Sequence, residues 1–107
     1  MKNFPGGMQN FLRQAQQMQG KMAKLQEELA TKTVDASSGG GAVTAIATGA
    51  QLLSAIKINK EVVNADDVEM LQDLIMTAVN ESLKKAKAMS EAEMQKITGG
   101  VSMPGLF

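Results

Sequence analysis

The sequence predicts an α+β fold: a long N-terminal helix, a three-stranded antiparallel sheet and a long C-terminal helix, in the order α-β-β-β-α. Three observations lead there. Apolar residues recur at 4-3 spacing through the first thirty positions. Short runs rich in Ala, Val, Ile and Thr, punctuated by Gly, fill residues 31–59. A broad apolar face at helical spacing then resumes behind the acidic stretch Asn64-Ala65-Asp66-Asp67.

Pro5-Gly6-Gly7 breaks structure, so the first helix is expected to begin near Met8 and to end around Ala30 or Thr31. With Met8 at heptad position a, the a and d positions hold Met8, Phe11, Ala15, Met18, Met22, Leu25 and Leu29. Phe4 extends the register backwards. Such a repeat places one narrow apolar seam along the helix. Residues 8–29 would span about 33 Å at 1.5 Å per residue. That is long for a chain of 107 residues, so part of the helix is expected to project. The seam then needs a cover: a second helix, a second copy of the chain, or a client. A homodimer is the expectation, with Leu25 and Leu29 in the core and Met8 and Phe11 towards the tip. Gly20 is expected to be a soft point on the outer face, costing about 1 kcal/mol relative to Ala.

Thr31 to Asp35 reads as a short strand, Ser37-Ser38-Gly39-Gly40-Gly41 as a loop, and Ala42 to Thr48 as a second strand. Gly49-Ala50 makes a tight connection to a third strand, Gln51 to Asn59, with Leu52, Ser54, Ile56 and Ile58 on one face. The second helix starts at residues 64–67, where Asp66 and Glu69 form a capping-box variant. Val68, Leu71, Leu74, Ile75, Ala78, Val79 and Ser82 make its buried face. A second capping signature, Ser90-Glu91-Ala92-Glu93, suggests a kink or a separate short helix to about Thr98. The whole reads as a single domain over 1–107, with residues 1–7 and 99–107 expected as flexible tails.

Eleven basic residues balance eleven acidic ones, which argues against coating nucleic acid by net charge alone. The distribution is uneven. Residues 1–26 carry Lys2, Arg13, Lys21 and Lys24 and no acid, whereas residues 61–83 carry six acids and no base. Cys and His are both absent, so no disulfide framework or thiolate metal site is available. No apolar run approaches a membrane span and no signal-peptide core is apparent, so a cytoplasmic protein without membrane partners is expected.

Each candidate motif has a plainer competitor. Gly39-Gly40-Gly41 lacks the Lys-Ser/Thr step and following helix of a phosphate-binding loop, and reads as turn chemistry. Asp66, Asp67, Glu69 and Asp73 lie on one helix start, where capping explains them better than a hard metal ion does. Nine methionines are read as packing filler, with an adaptable client groove as the competitor. The three aromatics, all Phe, are not interleaved with bases, so base stacking on single strands is not expected. No catalytic constellation or cofactor motif is present, so neither an enzyme nor a small-molecule substrate is expected.

Taken together, the chain resembles the YbaB/EbfC family of bacterial nucleoid-associated proteins. The resemblance rests on Met8 to Gln19, with its Gln-Ala-Gln-Gln-Met-Gln core, and on Gln26-Glu27-Glu28-Leu29. It continues in Gly39-Gly40-Gly41 before Val43, in Gly49, in Met70 to Ile75, in Ala78-Val79-Asn80 and in Pro104-Gly105. The sheet departs from the family pattern at Thr44-Ala45 and Asn59-Lys60. The resemblance implies a tweezer-like homodimer with a β body and projecting helices. It also implies duplex DNA binding with little sequence preference, and roles in nucleoid organisation and gene regulation. The expected DNA contacts are Lys2, Arg13, Lys21 and Lys24, with Lys84, Lys85 and Lys87 as a rival cluster. The competing reading is a coiled-coil holdase or adaptor that grips protein clients with Met-lined helices.

Overall fold

The structure, a computed structural model, describes the backbone of residues 4–98 and the side chains of residues 7–98. Its elements are α1 (Phe4–Thr31), β1 (Thr33–Ser38), β2 (Val43–Thr48), β3 (Leu53–Ile58), a short 3-10 turn (Lys60–Val62) and α2 (Val68–Thr98). The expected α-β-β-β-α order is what the chain adopts, with an antiparallel sheet in the order β1-β2-β3. The molecule is a rod of 77 × 23 × 17 Å. Lys2 and the expected tail at residues 99–107 lie outside the described residues.

α1 begins at Phe4, four residues before the expected start. Pro5 falls in its first turn, where no N–H has an intrahelical partner and a fixed φ suits the helix. The proline therefore opens α1 instead of blocking it. At the other end, the β2–β3 turn caps the helix: the Gly49 N–H donates to the carbonyls of Leu29 and Lys32, each at 2.9 Å. A Cβ at Gly49 would lie 2.7–2.9 Å from Leu29 atoms, including its carbonyl oxygen. Only glycine lets the turn come this close.

The sheet is thin because its central strand is small. Val43, Ala45 and Ala47 of β2 are completely buried, as are Ala78, Ser82 and Ala86 of α2. Short side chains on both surfaces let the helix lie close to the strands. Leu71, Leu74, Ile75 and Val79 pack around Val43, Ala45 and Ala78 as expected. Val68, expected on the same face, is exposed. Two polar ties fix α2 against β1. Ser38 Oγ donates to the Leu74 carbonyl at 2.6 Å, and Lys85 Nζ donates to the Asp35 carbonyl at 2.9 Å.

Four further expectations are corrected. Ser37 and Ser38 belong to β1, and the turn contracts to Gly39–Ala42, where all three glycines have positive φ. Ser54 does not join the face of Ile56 and Ile58. A register shift pairs Ile46 with Ala55 but Ala47 with Leu53, so Ser54 is the extra residue of a bulge and Leu53 takes its place. The cap of α2 is Asp67, whose Oδ1 accepts from the Met70 N–H at 3.2 Å, while Asp66 donates its N–H to Asn64 Oδ1. Finally, α2 runs unbroken from Val68 to Thr98, so Ser90 starts no new helix. Burial of its inner face outweighs a local capping signal in mid-helix.

Candidate nucleic-acid interface

The end of α2, from Glu93 onward, runs antiparallel to the base half of α1. Their contact line is marked by Glu93 beside Lys32 and by Ile97 beside Met18 and Lys21. Two adjoining recesses of about 210 Å³ each lie along it. The one nearer the sheet is lined by Lys21, Lys24, Leu25, Glu28, Glu93, Lys96 and Ile97. The one towards the tip is lined by Gln14, Gln17, Met18, Lys21 and Ile97. On α1 these residues follow helical spacing, so one face carries Gln14, Lys21 and Glu28 beside Gln17 and Lys24.

Glu93 is the electrostatic centre of this region. Its Oε1 lies 3.2 Å from Lys96 Nζ and 3.6 Å from Lys32 Nζ. The hydrogen bond from Lys96 holds the carboxyl below its ordinary titration range, helped by the charges of Lys32 and Lys96. Counting Lys32 with the lining groups, four lysines (21, 24, 32, 96) face two glutamates (28, 93), an excess of two positive charges. The Asp66, Asp67, Glu69 and Asp73 cluster lies at the opposite end of α2. Asp73 and Lys96 are separated by about 35 Å of helix at 1.5 Å per residue. The neutral chain is thus a charge-separated rod.

Lys21 and Lys24 are brought together in the recess, both exposed, and Lys96 joins them. Arg13 is exposed on α1 but lines neither recess. Of the rival lysines, Lys84 pairs with Glu81 at 3.7 Å and Lys85 ties α2 to β1, while Lys87 is exposed. Sequence reasoning missed Lys32 and Lys96. The available signal was the i,i+3 pair Glu93–Lys96 on a helix long enough to run back along α1. Among the described residues, no group of three or more acids or other metal-binding side chains converges on one point. No described helix is long and apolar enough to cross a membrane.

Comparison with known proteins places this fold in a family. A family model described as the YbaB/EbfC DNA-binding family matches residues 4–101. The chain belongs to the YbaB/EbfC family. One relative, named nucleoid-associated protein, is from Acetivibrio thermocellus. It is 58% identical, with 97% of this chain and 93% of the relative covered. Another nucleoid-associated protein, from Thermoanaerobacter pseudethanolicus, is 54% identical over 97% of this chain and 96% of its own. The fold is also similar to the crystal structure of uncharacterized protein HP0035 from Helicobacter pylori. That match has a TM-score of 0.62 at 23% identity, covering 73% of this chain and 90% of that one.

Proposed function

We propose that the protein is a nucleoid-associated protein that binds duplex DNA as a homodimer through phosphate contacts, with little sequence preference. In this reading it alters DNA conformation and thereby nucleoid organisation and gene expression, and it has no enzymatic role. The basic edge formed by α1 and the end of α2 carries the proposal. Phosphate contacts position a protein on DNA without reading its sequence, and long flexible lysines suit that role. Lys21 and Lys24 contact phosphates from the recess, Arg13 from the outer face of α1, and Lys2 from beyond its start. The acidic end of α2 repels the duplex and keeps it at the basic end.

Dimerisation has its own support. α2 lies across β1 and β2 and leaves the same face of β3 uncovered, where Leu53, Ile56 and Ile58 are each about 40% exposed. An open edge strand with an apolar face favours pairing with a second copy. Sedimentation at micromolar concentration should give twice the chain mass of 11.3 kDa. A clean monomer would overturn this part.

The test of the DNA reading is a gel shift on random-sequence duplex over a range of salt. Log affinity should fall linearly with log salt, with a slope of about −0.9 per phosphate contacted. Replacing Arg13, Lys21 and Lys24 with Gln should flatten the slope and weaken binding to all sequences alike, with the dimer intact. The client-grip reading keeps one observation in its favour: Met8, Phe11, Leu12 and Met18 are exposed along one arm. Binding of unfolded protein that is insensitive to salt, with no duplex shift, would select it.

A further inference from the structure

Glu93 gathers lysines from two different parts of the chain onto a single oxygen. Lys32 comes from the α1–β1 junction and Lys96 from α2, and both approach Oε1. The exposures are unequal. The Glu93 side chain is 23% exposed, whereas those of Lys32 and Lys96 are 47% and 72% exposed. Glu93 is the less exposed partner of both pairs, and both lysines remain open to an anion arriving from solvent. The Glu81–Lys84 pair differs, with both side chains more than half exposed. Lys21 and Lys24 flank the same recess. An oxygen anion ringed by ammonium groups is also the setting a DNA phosphate seeks.

We propose that Glu93 is an internal stand-in for a DNA phosphate. In the free protein its carboxylate gathers Lys32 and Lys96 at the mouth of the α1–α2 recess. On duplex DNA a backbone phosphate takes over those two lysines, which join Lys21 and Lys24 in one contact surface. The inference rests on the duplex-binding reading above. It adds two contact residues and a built-in competitor that lowers affinity. Glu28 lines the same recess without an ion pair to these lysines, so it serves as the matched control for plain charge removal.

The experiment titrates full-length protein against random-sequence duplex at several salt concentrations. Glu93→Gln should tighten binding roughly 3–10-fold at low salt, about what one or two phosphate contacts lose between 50 and 200 mM salt. Glu28→Gln should tighten it less. The double variant Lys32→Gln/Lys96→Gln should flatten the salt slope by about 0.9 for each lysine lost. In that background Glu93→Gln should tighten binding no more than Glu28→Gln does in the parent, because the competitor has nothing left to compete for. If the parent binds duplex but Glu93→Gln leaves affinity unchanged or weaker, the stand-in role is overturned and the DNA reading survives. A gain that persists undiminished without the lysines overturns it equally, as a general charge effect. A parent that shifts no duplex at low salt overturns both readings. Should Glu93→Gln unfold, the double lysine variant decides alone, and an unchanged slope rejects the proposal.

Discussion

The two halves of α1 are built from one heptad pattern and end in opposite environments. At the base, Leu29 is 1% exposed, wedged under the Gly49 turn, and Leu25 is buried beneath the end of α2. Towards the tip, Phe11 is 63% exposed and Met8 is 50% exposed in the same register. The contrast shows that a heptad seam specifies a face and not a partner. The base half has a sheet and a second helix to bury it, while the tip half runs past Thr98, the last described residue of α2.

The strongest way to break this contrast is mutation along the seam. Leu29→Ala should destabilise the fold by about 2–5 kcal/mol, since it removes a completely packed side chain. Phe11→Ala should stay within about 0.5 kcal/mol in dilute protein. Denaturant unfolding measures both, and equal losses would mean the tip is packed as tightly as the base. Somewhat smaller is Gly49→Ala. The added Cβ meets a backbone carbonyl that cannot swing aside, and the cost should be about 1–3 kcal/mol.

Gly20 sharpens the comparison with the opposite sign. A Cβ there meets nothing within 4 Å, so Gly20→Ala should stabilise by up to about 1 kcal/mol, read as a raised melting temperature. The smallest effect concerns acid. The lowered titration of Glu93 means its ion pairs add stability above the ordinary value of 4.5. That stability is lost as pH falls through the lower folded value. Parent and Glu93→Gln should therefore differ slightly in melting temperature at neutral pH and converge in strong acid. A difference that grows on acidification would contradict the ion pairs.

Much of this architecture was legible because it depends on periodicity and small residues. The a/d pattern located α1, and the glycine-bounded run from Ala42 to Thr48 located the central strand. The failures occurred where local signals compete with packing. Pro5 reads as a breaker until its place in a first turn is known. Ser90 reads as a cap until the rest of α2 has a face to bury. The bulge at Ser54 left no mark in the alternation around it. At the candidate site, Lys21 and Lys24 could be singled out because they lie in an acid-free stretch. Lys32 could not, because its partner Glu93 is distant in sequence and only the packing of α2 back along α1 joins them, while Lys96 showed only its i,i+3 pairing with Glu93.

The Gly49 turn also has a mechanical consequence. It grips α1 at one end through two hydrogen bonds and a close backbone contact. From that grip to Phe4, α1 measures about 38 Å at 1.5 Å per residue, with its base half also packed against α2. A tilt of about 5° at the pivot would carry the far end sideways by about 3 Å, close to the 3.4 Å axial rise per phosphate along one DNA strand. Small adjustments in how Leu29 seats against the turn are therefore multiplied into base-pair-sized displacements at the tip.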